Sequence, residues 1–88
     1  MRIVPGFVLR EIVGETVAIP TGDAVYRLSG LAALNESGKL LFELLQTEQT
    51  EQTLAQGLMQ TYEVDEQTAA EDVAEFLEIL RQNRMLLE

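Results

Sequence analysis

The pattern of apolar and polar positions divides the chain into a sheet-like first third and a helical remainder. Phe7-Val8-Leu9-Arg10-Glu11-Ile12 and Thr16-Val17-Ala18-Ile19-Pro20 are rich in β-branched and aromatic residues, with Val13-Gly14-Glu15 as a turn between them. They predict a hairpin. Thr21-Gly22-Asp23 and Ser29-Gly30 carry turn chemistry. Ala24 to Leu28 predicts either an extension of the second strand or a short one of its own. Leu31-Ala32-Ala33-Leu34 then predicts a last strand that holds no charge and no proline.

From Asn35 onward the spacing becomes helical. Asn35 is a good N-cap for a first helix carrying Leu40, Leu41, Leu44 and Leu45, with Phe42 adding apolar surface. Thr50 caps a second helix with Leu54, Leu58, Met59 and Tyr62 on its apolar stripe. Gly57 costs that helix roughly 1 kcal/mol relative to alanine, so close packing is expected there. Asp65 caps the third and longest helix, whose stripe is Ala69, Val73, Phe76, Leu77 and Leu80. Met85-Leu86-Leu87 is expected to fold back onto the core, and the Tyr62 hydroxyl to reach solvent from the core margin. A meander of hairpins places the first and third strands at the two edges of the sheet. The third is the unguarded one: edges are commonly blunted by lysine, proline or a bulge, and an open edge can pair with an added peptide strand.

Composition narrows the chemistry. The 88 residues, 47% of them hydrophobic, fit one domain with one modest core, spanning 1–88. There is no cysteine and no histidine, which removes disulfides, thiolate metal sites, a cysteine nucleophile and the commonest general base. A non-enzyme without cofactor or metal is the expectation. The net charge is −9, and all of it falls in residues 36–88, where twelve acids face only Lys39, Arg81 and Arg84. Nucleic-acid binding gains mainly from phosphate neutralisation, which this half cannot supply. No apolar run approaches the roughly 20 residues of a membrane span, and the start of the chain has no signal-peptide stretch, so a cytoplasmic location is expected.

Pro5-Gly6-Phe7-Val8-Leu9-Arg10-Glu11, Val17 to Thr21, Leu34-Asn35-Glu36-Ser37-Gly38, Tyr62-Glu63-Val64-Asp65, Asp72-Val73 and Phe76-Leu77 occur together in this order. In this the chain resembles the PqqD family, the RiPP recognition elements. The resemblance implies an α+β, winged-helix-like fold in which a three-stranded antiparallel sheet is followed by three helices. It implies a non-catalytic adaptor that binds the leader segment of a ribosomally synthesised precursor peptide and presents it to a modifying enzyme, often a radical-SAM enzyme. The leader would add a strand along Gly30, Leu31, Ala32, Ala33 and Leu34. It would lie beside the third helix, against Asp72, Glu75, Phe76, Ile79, Leu80 and Asn83. The stretch Asp23 to Ser29 is longer than the shortest family members require.

Plainer readings compete for the same residues. Leu31 to Leu34 fit a strand with one face in the core and the other merely small. Val73, Phe76, Leu77 and Leu80 fit core, and Ile79 fits a half-exposed margin or a groove position equally well. Glu71, Glu75 and Glu78 fit a solvated acidic face. Two further functions are open on sequence: a winged-helix DNA-binding protein, disfavoured by element order and acidity, and a structural protein–protein interaction domain. An acyl-carrier role lacks its serine, because Ser29 and Ser37 are the only serines and neither stands in an Asp-Ser-Leu context.

Overall fold

The computed structural model describes residues 1–22 and 31–88. Among the described residues, five strands and three helices follow one another as β1 (Arg2–Ile3), β2 (Phe7–Ile12), β3 (Glu15–Pro20), β4 (Leu31–Leu34), α1 (Glu36–Leu44), α2 (Glu51–Thr61), α3 (Glu66–Gln82) and β5 (Leu86–Leu87). The class is α+β, with an antiparallel sheet ordered β2-β3-β4 preceding three helices, as expected. Gly30 and the segment Ala24 to Leu28, on which strand expectations also fell, lie outside the described residues.

β2 and β3 pair from Phe7 opposite Pro20 to Ile12 opposite Glu15, so the connection is the two residues Val13 and Gly14. Both have positive φ, 50° and 79°. A two-residue hairpin of this hand matches the right-handed twist of its strands, and it is the turn for which Asn-Gly is the favoured sequence. A β-branched residue at its first position is a backbone outlier.

β3 and β4 pair Thr16 with Leu34 and Ala18 with Leu31. Two steps along β3 therefore face three along β4, and one extra residue is accommodated around Ala32 and Ala33. This corrects the expectation of an unblunted edge. Although β4 carries no charge or proline, the irregularity bends the strand and interrupts its ladder, one of the standard ways to guard an edge.

The expected caps form at all three helix starts. The Asn35 side chain accepts from the Gly38 amide at 2.8 Å, and Asp65 Oδ1 accepts from the Thr68 amide at 2.7 Å. Thr50 and Thr53 exchange amide-to-hydroxyl bonds of 2.9 and 3.1 Å. Each satisfies donors that a helix start leaves without a partner. The core joins Phe7 and Ala18 of the sheet to Leu41, Phe42 and Leu45 of α1, Leu54 and Leu58 of α2, and Ala69, Val73, Phe76, Leu77 and Leu80 of α3. Gly57 packs as expected: a Cβ there would stand 2.7 Å from Leu44 Cδ1. Met59, expected on the α2 stripe, is instead 36% exposed.

The chain end does fold back, and it does so through a feature hidden in the sequence. Arg84 sits at φ 57° just beyond α3. Its amide donates to the Arg81 carbonyl at 3.1 Å, and the Met85 amide donates to the Leu80 carbonyl at 2.9 Å. This is a Schellman ending, with Arg84 where glycine is usual. It turns Met85 fully into the core and sets β5 against β1, pairing Arg2 with Leu87 and Ile3 with Leu86. The β1–β5 pair was absent from the sequence reading.

Candidate functional site

The region where β4 gives way to α1 brings the sheet edge and α3 together. β4 ends at Leu34, Asn35 caps α1, and Gly38 lies in the first turn. A Cβ on Gly38 would stand 3.1 Å from Asn35 Oδ1, 3.4 Å from Phe76 Cε1 and 3.6 Å from Leu34 Cδ2. The side chains of Leu34 and Phe76 therefore converge over a residue that has none. A bulkier residue at 38 would push α3 away from the end of β4. Gly38 is a residue the sequence reading quoted but gave no role. Its signal was a glycine placed inside a capped helical turn, where glycine otherwise only weakens the helix.

Along α3, Asp72, Phe76, Ile79 and Asn83 are spaced i, i+4, i+7 and i+11, so they share one face. Asp72, Ile79 and Asn83 are half-buried and Phe76 is buried, which makes this row the margin between the core stripe and solvent. Glu75 stands further out and is exposed. Leu80 has no exposed surface, so it supports the row from within the core and offers nothing to a ligand. The Asn83 side-chain amide donates to the Ile79 carbonyl at 2.8 Å, which closes the end of the row.

Asp72 also opens onto a pocket of about 420 Å³, shared with Asn35, Glu36, Ser37, Leu58, Tyr62 and Val64. This pocket lies where the start of α1, the end of α2 and the first half of α3 meet. Its floor is apolar, from Leu58, Tyr62 and Val64, and its rim carries the carboxylates of Glu36 and Asp72. The Tyr62 hydroxyl reaches solvent from the core margin, as expected, and also donates to the Glu36 main-chain carbonyl at 3.1 Å. It thereby ties the end of α2 to the start of α1. Sequence spacing could not assign these residues to one place, because they come from three elements.

Among the described residues, then, the end of the edge strand meets the helical row where Leu34 and Phe76 converge at Gly38, and an apolar pocket opens beside Asp72 of that row. Main-chain groups at a strand edge can align an extended peptide, and neighbouring apolar hollows can hold its side chains. The domain is a small α+β unit in which the end of an edge strand lies beside a helix.

The chain belongs to the PqqD family: the family model for coenzyme PQQ synthesis protein D matches residues 15–86. No curated protein matches the chain. Two solved structures share the fold. One is TbiB1 in complex with the TbiA(beta) leader peptide, with a TM-score of 0.74, 22% identity, and coverage of 98% of this chain and 94% of that one. The other is a lasso peptide synthetase B1 complexed with the leader peptide, with a TM-score of 0.70, 24% identity, and coverage of 99% and 96%.

Proposed function

We propose that this chain is a non-catalytic adaptor that binds the leader segment of a ribosomally synthesised precursor peptide and hands it to a modifying enzyme. The leader adds a strand to the outer side of β4 and rests its side chains on the α3 row of Asp72, Phe76, Ile79 and Asn83. The observation that carries this reading is the convergence of Leu34 and Phe76 at Gly38, which joins an edge strand to that row in a PqqD-family chain. The two structures of like fold each hold a leader peptide.

The extra residue in β4 shapes the proposed mode. An added strand finds its hydrogen-bonding partners out of step around Ala32 and Ala33, so main-chain pairing extends over only a few residues. Affinity then depends on side chains seated against Ile79 and in the pocket floored by Leu58, Tyr62 and Val64. The absence of histidine and cysteine supports a binding role rather than a chemical one. Titrating the isotope-labelled chain with a synthetic leader, taken from the precursor whose modification depends on it, tests the reading. Saturable shifts at Leu31 to Leu34 and along Asp72 to Asn83 are expected, with no change in peptide mass. Conversion of the peptide by this chain alone would sink it.

A further inference from the structure

We propose that the groove between α2 and α3 is a second docking surface, which takes a short helix from a partner protein bearing an aliphatic face flanked by lysine or arginine. The groove encloses about 490 Å³. Its floor is Ala55, Ala70 and Val73, with Met59 and the polar Gln52 and Gln56 beside them, and Glu51 and Glu66 complete the lining. Met59 follows the apolar spacing of Leu54 and Leu58, yet those two are buried and Met59 is 36% exposed. A flexible, polarisable methionine beside a floor of small residues suits a surface that moulds to an incoming side chain.

The groove is separate from the leader site. Ala70 and Asp72 are two residues apart, which on a helix of 3.6 residues per turn places them about 160° around the axis. Asp72, Phe76 and Ile79 occupy one flank of α3, and Ala70 occupies the other. Both surfaces can be filled at once, as an adaptor that joins two partners requires.

The chemistry of the occupant follows from the walls. Beyond their first turns both walls are helices with their main-chain groups bonded internally, so the length of the groove offers no edge to an extended strand and recognition must use side chains. From Glu51 to Met59 the α2 wall runs about 12 Å, close to two turns of a docked helix with anchors at i, i+4 and i+7. The charge is one-sided. Twelve acids face three bases in residues 36–88. None of those bases lines the groove. Arg81 bonds to Glu88 at 3.0 and 2.9 Å and its charge also reaches Glu51, which leaves Glu66 as the groove carboxylate without a basic neighbour among these three. A basic helix is therefore favoured. A second copy of this chain would bring its own acidic helices against Glu51 and Glu66, and nucleic acid would be repelled.

The proposal rests on the adaptor reading only for the identity of its partner class, and the test keeps the two apart. The probe is a synthetic helical peptide of about twelve residues with leucines at i, i+4 and i+7 and lysines on both flanks. Its counterpart replaces every lysine with glutamate. Titrated into the whole labelled chain, the lysine peptide is expected to shift Ala55, Met59 and Ala70 and leave Leu31 to Leu34 and Ile79 in place. Ala70→Arg, which fills the floor without breaking the helix, should weaken it at least about tenfold, a loss of about 1.4 kcal/mol. Glu43→Gln makes the same change in net charge on α1 and should alter affinity less than about twofold, as a distant exposed charge does in screened solution. Equal binding by the glutamate peptide, no shifts at millimolar peptide, unchanged affinity in Ala70→Arg, shifts centred on β4, or self-association through Met59 would each overturn the proposal. A leader that binds β4 while the helix stays unbound removes the groove alone. A helix that binds while the leader leaves β4 unmoved removes the adaptor reading alone.

Discussion

Val13 is held in a conformation that valine resists, and replacing it should stabilise the protein. It stands at φ 50° in the β2–β3 turn and is 97% exposed. A residue in such a sparsely populated region costs about 1–3 kcal/mol, and the β-branched side chain has no packing to offset that here. Val13→Asn gives the Asn-Gly pair that this turn favours. The substitution forfeits almost no burial, less than about 0.1 kcal/mol at roughly 25 cal/mol per Å². The net gain is about 1–2 kcal/mol, or about 5–10 °C in Tm for a domain of this size. Val13→Gly relieves the same strain but frees the unfolded chain, which costs about 0.4–1 kcal/mol, so it should gain less. Val13→Ile keeps the conflict and should leave stability unchanged. Thermal melts by circular dichroism, with urea titrations at equal slope, would rank the series as Asn above Gly above Val and Ile. An Asn variant that melts at or below the parent would show that the turn carries no such strain. Leader affinity should not change in any of them, since β4 pairs with β3 at Thr16 and Ala18 and not with the turn residues.

Other expectations concern the site and the helix caps. Ile79→Glu should weaken leader binding by roughly 1–3 kcal/mol, the scale of one aliphatic contact, while the far-ultraviolet spectrum and melt persist; calorimetry showing parental affinity in the folded variant would remove Ile79 from the site. Phe76→Ala should lower stability by about 3–5 kcal/mol, because the ring belongs to the core as well as to the junction with Leu34, so folding and binding should fail together in a denaturant titration. The Thr68 amide bonded to Asp65 holds that carboxyl below its ordinary value of 3.8. A lowered native pKa adds stability that is fully present above the ordinary value and lost as pH falls through the native one. Asp65→Asn should therefore flatten the acid side of the stability profile below about pH 4, and an unchanged profile would assign the acid loss to other groups.

Much of this fold was legible because local rules agreed with one another. Asn35, Thr50 and Asp65 announced their helices by side-chain chemistry that works within one turn, and the stripe of α3 repeated often enough to fix its inward face. What escaped notice was set by distant neighbours. β1 and β5 are two residues each, too short for a periodic signal, and they exist because Arg84 adopts a conformation usually left to glycine. Met59 matched its helix's period, but α3 does not cover it. The extra residue in β4 depends on the spacing of Thr16 and Ala18 on another strand, and nothing in Leu31 to Leu34 alone records it. The site was legible in outline, as an edge and a helix face. Its hinge, the approach of Leu34 and Phe76 over Gly38, needed three separated residues to be placed at once.

Hydrogen exchange of the chain with and without saturating leader tests the central claim most directly. If the leader adds a strand to β4, amides from Leu31 to Leu34 that face away from β3 should slow on binding, while those of Phe7 to Ile12 on the opposite edge should exchange as before. Slowing concentrated in β2 or α2, with β4 unaffected at saturation, would contradict the account.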